Sequence, residues 1–330
     1  MEPLPRIEVV TLGECLVSLV AATPGPLAEA MTFERHVAGA EANVAVGLAR
    51  LGHSVAYLGR VGADGFGTAI IRRLRGEGVD VSHLAIDPDA RTGVMVRERR
   101  SLGAAEVLYH RAASAASRLA RDDIDRAVDA GLFEGARWLH LTGITPALSE
   151  SARAATLRAR DVARDAGLEV SLDVNLRRRL WSDEVAGPTL RDLVTGVDVV
   201  LGSPDELAVI ADSDPATDPA ELAAAVATLG ATVVVVKLGP DGALGLEAGA
   251  TPVLVPAIAV PVEVDPVGAG DAFCVGFIAG RLDGVDVETA LRMGNACGAL
   301  AVAALGDQAG LPDRAELGRL LAGGGADTLR

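Results

Sequence analysis

The sequence has few aromatic residues: Phe, Trp and Tyr make up 3% of its 330 residues, whereas 50% are hydrophobic. Ala, Val, Leu and Ile must therefore build the core, and the stacked rings that bind single-stranded nucleic acid are scarce. The net charge of −15 at pH 7 repels a phosphate backbone or an anionic membrane over most of the surface. We therefore expect neither nucleic acid nor a membrane as a partner.

Cysteine is also rare. Cys15, Cys274 and Cys297 lack CxxC spacing and predict buried, reduced thiols. The N-terminal residues include Pro and Glu where a signal peptide would have basic and then apolar residues, and no apolar run approaches the roughly 18 residues of a membrane span. These features predict a soluble, cytoplasmic protein.

Several common catalytic motifs are missing. Lys237 is the only lysine and Leu238 follows it, so the chain has no GxxxxGK[ST] loop. The segment Gly268-Ala269-Gly270 lacks the third glycine of GxGxxG, and GxSxG does not occur. The five histidines lack metal-ligand spacing. Dinucleotide, hydrolase and histidine-metal sites are therefore not predicted.

Short apolar runs alternate with helical patterns along most of the chain. This alternation predicts an α/β fold with a mostly parallel sheet and helices on both faces. Residues 91–111 interrupt it with two strand-like runs about ten residues apart, which predict an antiparallel hairpin. Together with residues 14–38, this hairpin could form a small separate sheet. We predict strands at 7–13, 54–62, 137–144, 168–175, 198–203 and 231–239, an antiparallel pair within 242–257, and helices after residue 270.

The segment DPVGAGDAF, residues 265–273, predicts a glycine-rich turn followed by the start of a helix. The backbone amides of Gly268, Ala269, Gly270 and Asp271 would converge at the helix N-terminus and form an anion site. A carboxylate beside such a site can act as the base in phosphoryl transfer while the amides stabilise the phosphoryl oxygens. The alternative is that Asp271 is only an N-cap.

Polar residues also follow the ends of several predicted strands, where open α/β sheets bind ligands. The clusters lie at 39–43, 173–177, 203–206, 237–242 and 268–271. Asn43 falls in the first turn of a predicted helix, so its side chain and the backbone of Gly39 and Ala40 could reach a ligand. Five clusters exceed what turn formation requires, which favours a binding site along this edge.

Two segments resemble the signatures of the ribokinase-like (PfkB-type) sugar kinases: DPVGAGDAF, and AGAEANVAVGLARLGHSVAYLGRVGADGFG, which begins at Ala38. The resemblance implies a three-layer αβα sandwich with a mostly parallel sheet and a small β-sheet lid. It implies a core of residues 1–13, 39–90 and 112–330 and a lid of residues 14–38 and 91–111. It also implies ATP and Mg²⁺ as cosubstrates, with Asp271 as the base and Gly268, Ala269 and Gly270 as the anion hole.

The resemblance assigns the remaining residues position by position. It associates Glu206 with magnesium, through water. SPDE, residues 203–206, resembles an NxxE element with serine in place of asparagine, and KLGPDG, residues 237–242, resembles the ATP loop, although a simple β-turn is an equal alternative. The predicted ATP-binding residues are Asn175, Ser203, Glu206, Lys237, Gly239, Gly242, Gly268, Gly270 and Asn295. The predicted sugar-binding residues are Gly39, Ala40, Asn43, Tyr109, Arg111, Arg177, Asp271 and Asp307.

Within the family, the chain looks most like the 2-keto-3-deoxygluconate kinases. Arg111 matches a substrate-binding position, and its guanidinium fork suits a planar carboxylate. His110 and Met95 depart from the pattern, since tyrosine is expected at both positions. Fructokinase and 5-dehydro-2-deoxygluconokinase activities stay open because the DxNxR run at 173–177 also occurs among fructokinases, and a non-catalytic sugar or nucleotide sensor is the alternative outside enzymes.

Two further expectations concern ions and assembly. The family's potassium loop often begins at the position of Asp265, but Pro266 and Val267 replace the usual threonines, which argues against potassium activation. A lid hairpin has exposed edges that another chain can cover. We therefore expect a homo-oligomer, a dimer through the lid.

Overall fold

The computed structural model describes residues 6–99 and 106–323. The strands are β1 Val9–Gly13, β2 Leu16–Ala21, β3 Phe33–Ala38, β4 Val55–Gly62, β5 Leu84–Asp87, β6 Val94–Arg97, β7 Val107–His110, β8 Trp138–Thr142, β9 Glu169–Asp173, β10 Val199–Gly202, β11 Val233–Lys237, β12 Ala243–Glu247 and β13 Val253–Val255. The helices are α1 Ala40–Arg50, α2 Gly65–Gly76, α3 Arg121–Asp129, α4 Thr145–Leu148, α5 Glu150–Asp165, α6 Asp183–Val194, α7 Pro204–Ala211, α8 Pro219–Ala227, α9 Ala269–Leu282, α10 Val287–Val302 and α11 Arg314–Leu321. Residues 1–5, 100–105 and 324–330, which the predicted core and lid include, lie outside the described residues.

The large sheet has nine strands among the described residues, in the order β13-β12-β11-β10-β9-β8-β1-β4-β5. At one edge, β12 pairs antiparallel with both β11 and β13, as expected for an antiparallel pair within 242–257. The remaining pairings in this sheet are parallel. Helices connect the parallel strands because such strands need a long crossover. The predicted α/β fold is confirmed; the edge strand β5 was not anticipated.

Hydrophobic side chains form a separate core on each face of this sheet. Val9 lies in one core with residues of α1, α9 and α10, whereas its neighbour Val10 lies in the other with residues of α3, α5 and α6. Successive strand residues point to opposite faces, so a run of apolar residues fills both cores. The sheet is therefore the middle of three layers, and Cys15, Cys274 and Cys297 are buried as free thiols.

The second sheet has, within 6–99 and 106–323, four strands in the order β3-β2-β6-β7. Strands β6 and β7 form the predicted antiparallel hairpin, with Met95 opposite Tyr109. Strand β2 joins the two halves, since it pairs antiparallel with β3 and parallel with β6. The predicted small sheet from residues 14–38 and 91–111 is thus present, although the hairpin loop at 101–103 and Ala105 fall outside the described residues.

The parallel strands β1, β8, β9, β10 and β11 all end at the same edge of the large sheet. Helix α1 begins beside this edge, one residue after β3 leaves the small sheet, and α9 packs against α1. The polar clusters of the sequence therefore meet in one region. In the described part of the chain, no helix combines the length and apolar character needed to cross a membrane.

Candidate active site

Helix α9 begins at the predicted glycine-rich turn. Gly268 precedes it with φ of 86°, and a Cβ there would approach the carbonyl oxygen of Asp307 to 2.8 Å, so glycine is required. The amide of Ala269 donates to the carbonyl of Pro266 at 3.3 Å. Within the described residues, the amides of Gly268, Gly270 and Asp271 have no such acceptor and stay free for an anion. This differs from the prediction that Ala269 also contributes its amide.

Asp271 lies in the first turn of α9 and is 8% exposed. The side-chain amide of Asn43 donates to Oδ2 of Asp271 at 2.7 Å, and that of Asn175 donates to Oδ1 at 3.3 Å. Burial raises the pKa of Asp271, while the Asn43 hydrogen bond opposes the rise. The carboxylate is therefore fixed on both oxygens and has a proton affinity above that of an exposed aspartate, as a general base requires.

A chain of polar contacts leads from Asp271 to the only lysine. Asn175 donates to Oδ2 of Asp173 at 3.0 Å as well as to Asp271, and Lys237 donates to Oδ1 of Asp173 at 2.6 Å. Asn175 has a φ of 41°, a strained conformation that asparagine tolerates better than most residues. The Lys237 ammonium also lies 3.5 Å from where a Cβ of Gly270 would stand, so a buried positive charge borders the free amides.

The predicted sugar-side residues of the first signature lie beside Asp271. A side chain at Gly39, where φ is 140°, would overlap the carbonyl oxygen of Glu14. Gly39 thereby lets α1 start close to the small sheet, with Ala40 buried in its first turn. Gln308 donates to Oδ1 of Asn43 at 3.2 Å, which leaves the Asn43 amide nitrogen directed at Asp271. Gln308 was not predicted, although it directly follows the predicted Asp307.

Asp307 is the second buried carboxyl of the site. Its Oδ2 has no hydrogen-bond partner among the described residues, and burial raises its pKa to about 6. The charge of Arg97 opposes this rise, and the charge of Asp271 adds to it. An unpaired buried oxygen close to the charge of Asp271 suits a substrate hydroxyl, and the role of Asp307 in sugar binding stays a prediction.

Arg111 lies on the predicted face of the lid with Tyr109, and its guanidinium carbon is 5.2 Å from the centre of the tyrosine ring. It forms an ion pair with Glu14, which also accepts from the hydroxyl of Ser114 at 3.0 Å. Burial raises the pKa of Glu14 and the charge of Arg111 opposes the rise. Glu14 was not predicted. The Nε of Arg111 is buried without a partner among the described residues and remains available to a ligand.

The three consecutive arginines after β9 have different surroundings. Arg178 pairs with Asp183 and Asp205, and Arg179 donates to the carbonyl of Val107 in the lid at 2.5 Å. Arg177 forms no ion pair with any carboxylate of the described residues, and its charge lowers the pKa of Asp271. Together with Tyr109 and Arg111, Arg177 lines a cavity of about 770 Å³ between the lid and this loop.

Ser203 and Glu206 form a capping box at the start of α7. Glu206 accepts one backbone hydrogen bond on each oxygen, from Leu176 and from Ser203, both at 2.9 Å. No group of three or more acidic, histidine or cysteine side chains in the described residues could ligate a metal. A carboxylate with spare lone pairs can still bind the water shell of Mg²⁺, which is commonly held by one carboxylate and substrate phosphates. The residues thus fit a hydrated Mg²⁺ at Glu206.

The predicted ATP loop is a tight turn between β11 and β12. Gly239 and Gly242 have φ values of 58° and 105°, and a side chain at Gly242 would overlap the carbonyl oxygen of Val255. Asn295 on α10 donates to the carbonyls of Val255 and Pro256, both at 3.1 Å, and so fixes the end of β13. The turn of residues 239–242 directly follows Lys237 at the end of β11, and so lies at the same sheet edge.

At Asp265, where the family's potassium loop often begins, the carboxylate binds the guanidinium of Arg97. Both oxygens of Asp265 accept from the guanidinium of Arg97, at 3.1 and 2.5 Å. The same carboxylate accepts from the amides of Val267 and Gly306. A potassium ion at Asp265 does not fit this arrangement, in agreement with the absence of the usual threonines.

Glu41, which sequence reasoning also missed, is a fully buried glutamate in α1. Its Oε1 accepts from the hydroxyls of Thr142 at 2.7 Å and Thr145 at 2.6 Å, while Oε2 has no partner in the described part of the chain. Burial, together with the nearby charge of Asp271, raises the pKa of Glu41 to about 7. No sequence pattern identifies Glu41 as buried, because an acidic residue in the first turn of a helix is typical of an exposed side chain.

We expect Glu41→Gln to reduce the loss of stability at alkaline pH. The pKa of Glu41 is about 7 in the folded protein, compared with its ordinary value of 4.5. The neutral carboxyl therefore contributes fully to the free energy of unfolding below pH 4.5, and this contribution is lost as pH rises through about 7. Between pH 6 and pH 8 the free energy of unfolding should fall in the native protein by on the order of 1 kcal/mol more than in Glu41→Gln. Urea unfolding at both pH values measures this difference. The exposed Glu150→Gln is the control, and equal pH dependence in all three proteins would contradict the expected role of Glu41.

Comparison with known proteins agrees with this site. The model of the pfkB family of carbohydrate kinases matches residues 6–314. A 2-dehydro-3-deoxygluconokinase of Thermoproteus tenax is 40% identical over 96% of this chain and 94% of its own length. One of Bacillus subtilis is 38% identical over 96% of each chain. Fructokinase-1 of Oryza sativa is 33% identical over 95% of this chain and 97% of its own.

Solved structures show the same fold. A PfkB protein from Polaromonas sp. JS666 is 40% identical, covers 94% of this chain and 99% of its own, and has a TM-score of 0.84. A provisionally named ribokinase II from E. coli, solved in complex with ATP and Mg²⁺, is 28% identical with a TM-score of 0.86 and covers 96% of this chain and 99% of its own. With the DPVGAGDAF turn, the buried Asp271 and the two-sheet fold, these similarities show that the chain belongs to the PfkB family of carbohydrate kinases.

Proposed function

We propose that this sugar kinase transfers the γ-phosphoryl group of ATP to the terminal hydroxyl of 2-keto-3-deoxy-D-gluconate and forms the 6-phosphate. The observation that carries the substrate is the cavity lined by Tyr109 and four arginines, among them Arg111 and Arg177; the charge of Arg177 also lowers the pKa of Asp271. Several guanidinium groups in one cavity favour an anionic sugar over a neutral one. The relatives named 2-dehydro-3-deoxygluconokinase support the same substrate.

In the proposed reaction, the sugar hydroxyl oxygen forms a bond to the γ-phosphorus while the bond from that phosphorus to the bridging oxygen breaks. Asp271 accepts the hydroxyl proton, and ADP leaves with the bridging oxygen. The amides of Asn43 and Asn175 hold the two carboxylate oxygens, so the base does not have to be oriented during the reaction. Because burial raises the pKa of Asp271, its affinity for the transferred proton is increased.

The transferred phosphoryl group would lie at the start of α9. The free amides of Gly268, Gly270 and Asp271 would donate to its oxygens, and Lys237 would add a positive charge beside them. Glu206 would hold Mg²⁺ through water, and the ion would neutralise phosphate charge when bound. The glycine turn of residues 239–242 would border the nucleotide, with Asn295 behind it.

The carboxylate of the sugar acid would lie in this cavity, with the terminal hydroxyl directed towards Asp271. Arg177 has no competing carboxylate partner in the described residues, and Arg111 offers its Nε in addition to the nitrogen that pairs with Glu14. The second candidate is a fructokinase, favoured by the relatives of that name and by the partial neutralisation of Arg111 by Glu14. A non-catalytic sensor would have no use for a buried, doubly oriented Asp271.

A panel of sugars tests the proposal. We expect ATP consumption with 2-keto-3-deoxygluconate to show a kcat/KM at least about tenfold above that with fructose, ribose or 5-dehydro-2-deoxygluconate, since one hydrogen bond to a charged group contributes roughly 1.5 to 3 kcal/mol. NMR of the product should place the phosphate on the terminal oxygen. A higher kcat/KM with fructose would identify fructose as the substrate in place of the sugar acid. If no sugar supports ATP consumption, the proposed kinase activity is wrong.

We also infer a homodimer through the lid sheet. Its outer strands expose Phe33 on β3 and Leu108 and Tyr109 on β7, each between 38% and 44% exposed. Apolar residues on uncovered strands favour pairing with another chain. Sedimentation velocity of the native chain and of Leu108→Glu tests this: the inference predicts a dimer for the first and a weakened dimer for the second.

A further inference from the structure

Arg97 connects the lid to the loop that precedes the catalytic helix. It is the last residue of β6, and its side chain is only 6% exposed. Two of its guanidinium nitrogens donate to the two oxygens of Asp265, three residues before Gly268. This paired geometry suits arginine, whose planar fork remains charged at any physiological pH. An almost fully buried ion pair therefore joins the small sheet to the start of the anion site.

Asp265 in turn organises two loops. It accepts from the amide of Val267 at 3.2 Å within its own loop and from that of Gly306 at 3.0 Å in the loop before α11. The next residue, Asp307, contacts the backbone at Gly268. The Asp265 carboxylate thus links β6, the turn before α9 and the segment that positions Asp307. Its ionised form is needed to accept all of these hydrogen bonds at once.

Without Arg97, the buried carboxyls of Asp265 and Asp307 would lose the positive charge that acts on both. The charge of Arg97 acts on both Asp265 and Asp307, and the two acids also repel one another. A buried carboxylate that loses its partner either takes up a proton or draws the surrounding backbone toward a new one. Either change would alter the position of Gly268 and of the amides that follow it.

We propose that Arg97 is a positioning residue: from the lid it supplies the fixed positive charge that holds the Asp265 loop, and hence the free amides of Gly268, Gly270 and Asp271, in their active arrangement. Phosphoryl transfer by the native chain consequently needs no monovalent cation from the medium. This inference rests on the proposed kinase activity. It assigns to Arg97 a role that acts through Asp265, since its side chain does not reach the reacting atoms.

The test is rescue of Arg97→Ala by small cations. Removal of the side chain leaves the Asp265 carboxylate beside a space large enough for K⁺ or a guanidinium ion. We expect kcat to fall about tenfold to a hundredfold, and K⁺ or a few tens of millimolar guanidinium to restore a large part of it. Choline at equal ionic strength, being too large, should restore nothing. The kcat of the native enzyme should differ by less than about twofold between K⁺ and choline buffers. A purely structural ion pair between Arg97 and Asp265 does not predict this independence of K⁺.

Direct cation binding provides a readout besides activity. K⁺ should raise the melting temperature of Arg97→Ala but not that of the native chain or of the double variant Arg97→Ala/Asp265→Asn, in which the buried charge is gone. Arg99→Ala is the matched control: Arg99 lies two residues further along the chain and, within the described residues, its side chain donates to the carbonyl of Ala22 at 3.2 Å. Its kcat should remain within about twofold of the native value.

Several outcomes would overturn the inference. These are a strong requirement of the native enzyme for K⁺, a kcat of Arg97→Ala close to the native value, or a loss that neither K⁺ nor guanidinium reverses in a protein that still binds ATP. If no sugar is phosphorylated by the native chain, the proposed function fails. The thermal-shift comparison then still decides whether Arg97 takes the place of a cation at Asp265.

Discussion

Asp271→Asn should abolish nearly all phosphoryl transfer while ATP affinity remains within a few-fold of the native value. The substitution removes the group that accepts the hydroxyl proton but preserves the free amides at the start of α9. Loss of a general base typically lowers the rate by about 10² to 10⁴. An asparagine oxygen can still accept from Asn43 or Asn175, so the local packing should persist. Steady-state kinetics and ATP titration by calorimetry measure the two quantities.

The control for this substitution is Asp214→Asn, a carboxylate-to-amide change at an exposed residue far from the sheet edge that forms the site. Its kcat should equal the native value. A variant Asp271→Asn that keeps a third or more of the native kcat would contradict the assignment of the base. In the native enzyme the raised pKa of Asp271 should also move the acid limb of kcat/KM above the range of an exposed aspartate, because the base works only when it is deprotonated.

The sequence was sufficient for most strands of the large sheet, though not for β5, and for the elements that carry Asp271 and Asn43. Apolar runs of strand length, separated by helical patterns, do not predict the order of the strands in the sheet. They do show which polar residues follow the strand ends, where open α/β sheets bind ligands. The structure brings Asn43 within 2.7 Å of Asp271 across 228 residues. Gly39 and Gly268 could be identified because glycine is required where a backbone is close to another backbone or has a positive φ.

The charged pairs of the site could not be predicted in the same way. Glu14 and Arg111 come from different lid segments, and Arg97 and Asp265 are 168 residues apart. Each of these side chains, considered locally, resembles a solvent-exposed charge on a strand or turn. Their burial follows from the closure of the small sheet against the large one, which no local periodicity encodes.

The largest effect expected on substrate choice comes from the arginines that line the cavity between the lid and the loop after β9. Changing Arg111 to methionine alone would leave Glu14 buried without its partner, which typically lowers stability by about 3 to 5 kcal/mol. The double variant Glu14→Gln/Arg111→Met removes the pair together and isolates the contribution to binding. Arg177→Met removes a second cation of the cavity, which has no carboxylate partner among the described residues and donates to the carbonyl of Leu176 at 3.5 Å.

For the double variant we expect KM for 2-keto-3-deoxygluconate to rise about tenfold to over a hundredfold, because a hydrogen bond to a charged partner contributes roughly 1.5 to 3 kcal/mol. The kcat should change little, since the carboxylate is distant from the transferred phosphoryl group. Neutral sugars have no anion for either arginine and should show nearly native KM values. Arg177→Met should have an effect of the same sign. Arg178 lines the same cavity, but its guanidinium is paired with Asp183 and Asp205, so Arg178→Met should leave the KM values closer to native than Arg177→Met does.

The kinetics of both sugars in the same variants distinguish the two candidate substrates. If Arg111 and Arg177 bind a substrate carboxylate, the ratio of kcat/KM for the acid to that for fructose falls in each variant and the value for fructose stays constant. If instead the Glu14 and Arg111 pair only shapes the cavity wall, both sugars lose activity together, because a displaced lid strand excludes either of them. Equal losses, or a native enzyme that prefers fructose, would make the acid-sugar assignment wrong and favour a fructokinase in which Glu14 cancels the charge of Arg111.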